Sequence, residues 1–232
     1  MRNRAEIKVT LYLLRHGATP ANREHRYLGK TDEALSEEGR AELLLKKKEI
    51  PAKLLLVSPM LRCRQTAEIL FPGRAQMQIP EWTEMDFGRF EGKNYRELNG
   101  DPDYQAWIDS GGTLSFPGGE SREAFIRRTN LGFARALSYL RAENTMGNTV
   151  EQMRKIAETD TGYLMEDSMK IRAAAVVHGG TIMALCSSFS DGAYFDFQVK
   201  NGEGYACRFK LPAEQVDDLE FIRKNGMEIR KL

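Results

Sequence analysis

From Ile7 to Leu14 the chain is mostly apolar or β-branched, and it then turns abruptly into Arg15-His16-Gly17. A short apolar run that stops this sharply predicts a buried strand. The same profile returns at Lys53–Val57, which stops at Ser58-Pro59, and at Ala173–Val177, which stops at His178-Gly179-Gly180. Between these runs the apolar spacing lengthens to that of helices. Ser36 is placed to cap a helix whose Glu37 and Glu38 suit the positive end of the dipole, with Ala41, Leu44 and Leu45 as its inward stripe. Ser58-Pro59 predicts a second helix start, with Met60, Cys63, Ala67 and Leu70 as the buried face. Asp101-Pro102 starts a short helix that stops near Gly111-Gly112. Ser121 caps a longer one whose apolar face is Phe125, Ile126, Phe133, Leu137 and Leu140. Thr181–Ser188 reads as a buried helix.

The remaining segments are less periodic. Arg15 to Lys30 has no apolar period and reads as a loop over the strand end. Thr149-x-x-Gln152 has the form of a capping box, so Met146 to Lys170 reads as a charged helical insertion in a single domain spanning 1–232. Phe195–Val199 and Tyr205–Phe209 are predicted strands flanking Asn201-Gly202, and the charged tail is a candidate edge strand. Strands alternating with helices define an α/β fold, three layers α/β/α around a mostly parallel central sheet.

Composition narrows the partners. Apolar residues make up 41% of the 232, enough for a substantial core, and the net charge of +1 leaves no global basic footprint. Nucleic acid and membrane surfaces are therefore not expected partners, and any anion site has to be a local cluster of arginines. No apolar stretch approaches the ~20 residues of a membrane span. The start, Met-Arg-Asn-Arg-Ala-Glu, makes a poor signal peptide, so a cytoplasmic protein is expected. Cys63, Cys186 and Cys207 are an odd, scattered set that fits a reducing compartment. Neither Cys-x-x-Cys nor His-Glu-x-x-His occurs, so no metal site and no cofactor is expected.

The chemistry gathers at the strand ends, which is where open α/β sheets bind ligands. Arg15-His16-Gly17 alone is a weak signal, and a polar loop is its plain alternative. Its company strengthens it. Pro20-Ala21-Asn22-Arg23 follows at once, and Ser58-Pro59-Met60-Leu61-Arg62-Cys63-Arg64-Gln65-Thr66-Ala67 follows the next strand. Glu84-Met85-Asp86-Phe87-Gly88-Arg89-Phe90-Glu91-Gly92 lies mid-chain, and Val177-His178-Gly179-Gly180 ends a later strand. Arg62 falls in the first turn of a helix, where free N–H groups already favour an anion.

These four motifs, in this order over residues 7 to 210, resemble the histidine phosphatase superfamily, the phosphoglycerate-mutase-like family. The segment from Glu84 to Gly92 is most similar to its phosphatase branch, which includes α-ribazole phosphatase, and differs from the glycolytic mutases. The resemblance implies a phosphoglycerate-mutase-like fold and a phosphomonoesterase acting on a small phosphorylated metabolite such as α-ribazole 5'-phosphate. A mutase, or a phosphate-ligand-binding protein without catalysis, is the alternative. His16 would be the nucleophile, since a neutral imidazole nitrogen attacks phosphorus and leaves readily from phosphohistidine. Arg15 and Arg62 would clamp the phosphoryl oxygens, to which a planar guanidinium is matched. A charged His178 would donate to the same oxygens, and Asn22 would add a neutral donor. Glu84 would be the general acid and then the base, in competition with Glu81, Asp86 and Glu91 nearby. Gly179, Arg23 and Thr31 are assigned to the substrate side, the plain alternative for the last two being a solvated loop. Arg64 is expected to be structural. Ala18 departs from the glutamate or glutamine frequent at that position in the family.

Overall fold

A computed structural model describes residues 6–47, 49–158, 170–212 and 218–232, the side chains of 144 and 146–158 excepted. Strands β1 (Glu6–Arg15), β2 (Leu54–Val57), β3 (Met77–Gln78), β4 (Lys170–Val177), β5 (Gly204–Pro212) and β6 (Glu228–Lys231) form one sheet. Its order is β3-β2-β4-β1-β5-β6. The first four strands in that order run parallel; β5 is antiparallel to both β1 and β6. The helices are α1 (Pro20–Arg23), α2 (Glu37–Leu45), α3 (Leu61–Leu70), α4 (Pro102–Asp109), α5 (Arg122–Glu158), α6 (Gly179–Phe189) and α7 (Asp218–Asn225).

Alternation along β1 sends Ile7, Val9, Leu11 and Leu13 to one face, where they meet Phe133, Leu137, Leu140, Ile182, Leu185, Phe189 and Ile222 of α5, α6 and α7. On the other face Leu14, Leu55, Val57, Ala174 and Val176 pack against Cys63 and Ala67 of α3 and against Phe71. Strands covered on both faces have no polar side, which explains the unbroken apolar runs at Leu54–Val57 and Ala173–Val177.

Register positions the chemistry. Arg15 pairs with Val177 and Val57 with Val176, so β1, β4 and β2 end at one level of the sheet. Parallel neighbours lie ~4.8 Å apart, so the residues that follow, His16, His178 and Ser58, emerge side by side.

Several segments differ from the sequence expectation, each for a local reason. Ser36 does cap α2, accepting from the Gly39 N–H at 3.0 Å. The inward stripe of α2 is nonetheless Gly39 and Leu43, and Ala41, Leu44 and Leu45 face outward, Leu45 being 87% exposed. Gly39 packs so closely on the Ala18 carbonyl that a Cβ there would collide, and this contact sets the rotation of the helix. Helix α3 begins at Leu61, with Met60 in the cap position, and not at Pro59. The Leu61 N–H is satisfied by Asp32 Oδ1 at 2.6 Å, and the Ser58 hydroxyl, which accepts from the Met60 N–H at 3.4 Å, has a second and closer partner.

Phe195–Val199 is not a strand. Tyr194–Phe197 forms a 3-10 turn that Asp196 closes by accepting from the Ala193 N–H at 2.9 Å, while β5 occupies the adjacent edge of β1. The expected loop after Arg15 contains α1, capped by Thr19. Ser121 caps α5 through the Ala124 N–H at 3.1 Å. Helix α5 then runs unbroken to Glu158, so Thr149 is interior to a helix rather than the start of one; residues 159–169 of the anticipated insertion lie outside the described residues. The tail supplies the edge strand, β6.

Candidate active site

The imidazoles of His16 and His178 meet edge to face, with ring centroids 5.2 Å apart. Both are buried, at 2% and 0% exposure. His16 is held by three contacts besides those its carbonyl accepts from Asn201 and Gly202. Its backbone N–H donates to Val177 O at 2.9 Å, the next N–H, of Gly17, donates to Thr66 Oγ1 at 2.9 Å, and its ring Nδ1 lies 2.7 Å from Gly17 O. A carbonyl only accepts, so Nδ1 carries the proton and Nε2 keeps its lone pair. Burial, and then the Arg62 and Arg15 charges, hold the His16 pKa well below the ordinary histidine value. A neutral imidazole with a free Nε2 is the reactive form of a nitrogen nucleophile.

His178 sits at the N-cap of α6, its Nε2 2.8 Å from the Ser58 hydroxyl. Burial, then Arg62, His16 and Arg15, lower its pKa well below the ordinary value too. Burial and then the two guanidinium groups therefore disfavour the charged His178 anticipated from the sequence. A dianion held there would reverse that balance and favour protonation.

The guanidinium groups are fixed by backbone acceptors. Arg62 is fully buried and donates through Nη1 to Thr31 O at 2.9 Å and through Nη2 to Gly29 O at 3.0 Å. Arg15 donates through Nη1 to Val199 O at 2.8 Å. In both residues the Nε–H is buried with no acceptor. Buried donors are rarely left unpaired, and two beside one nucleophile mark a place built for an anion. Asn22 adds to it. Its Oδ1 accepts from the Thr19 N–H at 3.3 Å and from Asn201 Nδ2 at 3.1 Å, leaving its own NH2 to donate elsewhere.

Glu84 arrives on a loop opposite Arg15. The Met85 N–H donates to its Oε1 at 3.0 Å, and a Cβ on Gly180 would stand 2.5 Å from that oxygen, so a larger residue there would displace the carboxylate. Burial raises the Glu84 pKa despite backbone hydrogen bonds and the Arg62 and Arg15 charges. The loop is anchored by Arg128, whose Nη1 donates to Glu81 O at 2.7 Å and Thr83 O at 3.0 Å, and whose Nη2 reaches Glu120 Oε2 at 2.8 Å. The competing carboxylates are engaged elsewhere: Glu81 binds Arg135, Asp86 binds Lys30, and Glu91 accepts from the Gly29 and Thr31 N–H groups.

Arg15, Asn22, Glu84 and Gly179 line a cavity of about 1050 Å³, with His16, Arg62 and His178 buried beside it. Arg23 also lines it, but its guanidinium is bound to Glu42 at 2.8 Å. Thr31 is outside the lining: its side chain is exposed, and it enters the site through the carbonyl that Arg62 binds. The sequence reading missed Ser58 as a histidine partner, Asn201 as the orienter of Asn22, and Arg128 as the anchor of the Glu84 loop. Only Asn201 had a local signal, an Asn-Gly turn, and that signal marks a turn and not a contact. Among the described residues no cluster of three or more His, Cys, Asp or Glu side chains is arranged to hold a metal ion, and no helix is long and apolar enough to cross a membrane.

The sequence model of the histidine phosphatase superfamily (branch 1) matches residues 11–150, and the chain belongs to that superfamily. It is 31% identical over 143 residues to the adenosylcobalamin/α-ribazole phosphatase of Salmonella typhimurium, covering 59% of this chain and 71% of that one. It is 32% identical over 110 residues to the 2,3-bisphosphoglycerate-dependent phosphoglycerate mutase of Bifidobacterium longum, covering 42% of this chain and 45% of that one. The fold matches the α-ribazole phosphatase of Shigella flexneri with a TM-score of 0.66 at 22% identity, covering 96% of this chain and 95% of that one.

Proposed function

We propose that the protein hydrolyses phosphomonoesters of a small metabolite through a phosphohistidine at His16. The carrying observation is the pair of orphaned, buried Nε–H donors of Arg15 and Arg62 beside a neutral imidazole whose Nδ1–H is committed to Gly17 O. The Nε2 lone pair attacks phosphorus while the ester P–O bond breaks. Glu84, whose pKa burial raises, gives its proton to the departing alkoxide. In the second half Glu84 takes a proton from water, the hydroxide attacks phosphorus, and the Nε2–P bond breaks to release phosphate. Arg15, Arg62, His178 and Asn22 hold the phosphoryl oxygens throughout, donating where charge builds up.

The stretch shared with an α-ribazole phosphatase makes α-ribazole 5'-phosphate the first substrate to try. The stretch shared with a phosphoglycerate mutase supports a second reading, in which the phosphoryl group passes to a bound product and not to water. Product analysis with 3-phosphoglycerate separates the two, as inorganic phosphate or as an isomer. The reading as a whole is tested by His16→Ala, which is expected to abolish turnover of an aryl phosphate. Retained turnover in a folded variant removes the mechanism.

A further inference from the structure

The far wall of the cavity holds a cation that the phosphoryl chemistry does not use. Arg122 lies in the first turn of α5, where the positive end of the helix dipole disfavours a cation by ~0.3–1 kcal/mol. Its guanidinium lies over the rings of Tyr194 and Phe195, 5.5 and 5.7 Å from their centroids. Nη1 reaches Gly111 O at 3.3 Å. Its Nε and Nη2 have no acceptor and no carboxylate pairs with it among the described residues, so both nitrogens are open to the solvent of the cavity.

A second donor is stranded on the same wall. Trp107 Nε1 is buried with no acceptor. A methyl group placed on Gly112 would stand 3.2 Å from Trp107 Cζ2 and 3.4 Å from Phe195 Cζ, so the indole edge bearing that N–H and the ring beneath Arg122 converge on one turn. Trp107, Gly112, Arg122, Tyr194 and Phe195 all line the cavity that holds Glu84. A cation stacked on rings is a common structural device. Stacking alone does not explain a guanidinium in an unfavourable helix position, two of its nitrogens unused, beside an orphaned indole N–H.

We propose that Arg122 and Trp107 form a second anion subsite, so that the favoured substrates are phosphomonoesters whose leaving group is extended and carries its own carboxylate or phosphate. This rests on the phosphatase reading. The body of the leaving group would lie along Tyr194 and Phe195, and its anionic end would take the free Arg122 donors.

The test uses matched aryl phosphates at two lengths, phenyl and biphenyl. At each length the far ring end is unsubstituted, carries a carboxylate, or carries a phosphonomethyl group, which stands in for a phosphate without being hydrolysed. The wild-type protein is expected to prefer an anionic member at one length by about tenfold in kcat/KM, through KM, equivalent to ~1.4 kcal/mol. Arg122→Gln should erase that preference. Trp107→Phe, which keeps the ring and removes the N–H, should reduce it by a smaller factor. The carboxylate and phosphonate arms tell which anion is preferred. A wild-type protein indifferent at both lengths, or a preference that survives Arg122→Gln, overturns the subsite. Neither result touches the phosphatase reading, which stands or falls on whether unsubstituted phenyl phosphate is turned over and whether His16→Ala abolishes it.

Discussion

Strands β1 and β4 carry cations at both ends. At the C-terminal end Arg15 joins Arg62 beside His16. At the N-terminal end Lys8 faces Lys210, Thr10 faces Arg172 and Arg208, and these side chains line a second hollow of about 610 Å³. The lower cations are in water. Arg208 pairs with Glu228 at 3.3 Å and Lys210 with Glu6 at 2.7 Å, through side chains 52% and 54% exposed on the cationic side. The upper pair is withdrawn from water, Arg62 fully and Arg15 in part, forms no ion pair among the described residues, and is held by carbonyls with the Nε–H of each unpaired. Two unit charges 4 Å apart interact by ~1 kcal/mol in water and ~4 kcal/mol near a protein surface, and a water-free, fixed arrangement is worth more still. Charge is present at both ends; what distinguishes the upper one is burial and backbone that fixes each donor.

The sharpest way to break this contrast is to remove one cation from each end. Arg62→Ala is expected to lower kcat/KM for an aryl phosphate by about 10²–10³-fold, the usual loss of a fixed donor to transition-state charge. Arg172→Ala should leave it within about twofold, as for an ordinary surface change. Comparable losses at both ends would show that bulk positive charge, not burial, drives the reaction.

Next in size is the acid. Glu84→Gln should cost about 10²–10⁴-fold on alkyl phosphates and much less on aryl phosphates of acidic phenols, whose leaving groups need little protonation. Equal losses on both would remove Glu84 from that role.

The smallest effect is on stability, and it is pH-dependent. His16 and His178 have depressed pKa values in the fold, so below about pH 6.5 the unfolded chain takes up protons that the folded one refuses. Their contribution is present above that pH and lost as pH falls, with a limiting slope of ~1.4 kcal/mol per pH unit for each histidine. Glu84 runs the other way: its raised pKa gives a contribution present at acid pH and lost as pH rises above the ordinary carboxylate range. Thermal unfolding followed from pH 7.5 to 5.5 should show a falling Tm, and His16→Gln should flatten the fall. A flat wild-type profile would mean that the imidazoles are not held neutral.

Much of the site was legible because the apolar runs end at the residues that matter. Val177 gives way to His178, Leu14 to Arg15-His16, and Arg62 falls in the first turn of a helix that follows a strand. Distances between strands were not legible. Only the pairing of Arg15 with Val177 brings the two imidazoles into contact, and nothing local to Ser58 shows that its hydroxyl serves His178 as well as the helix it precedes. The rotation of α2 was misread for a related reason. Hydrophobicity favoured Leu44 and Leu45 as the inward stripe, but the deciding feature was the space that Gly39 leaves for the Ala18 carbonyl. Arg128 reads in sequence as the polar side of a helix; its role comes from a loop forty-odd positions earlier that folds back beneath it.

The central claim is that the His16 Nε2 forms a bond to phosphorus. Glu84→Gln, loaded with an aryl phosphate of an acidic phenol and quenched within a single turnover, should accumulate protein heavier by one phosphoryl group. Peptide mapping should place the group on His16, with loss of the label in acid and survival in alkali. A phosphoryl group mapped to His178 or any other residue, or phosphate released with no labelled protein at any quench time, would contradict the account.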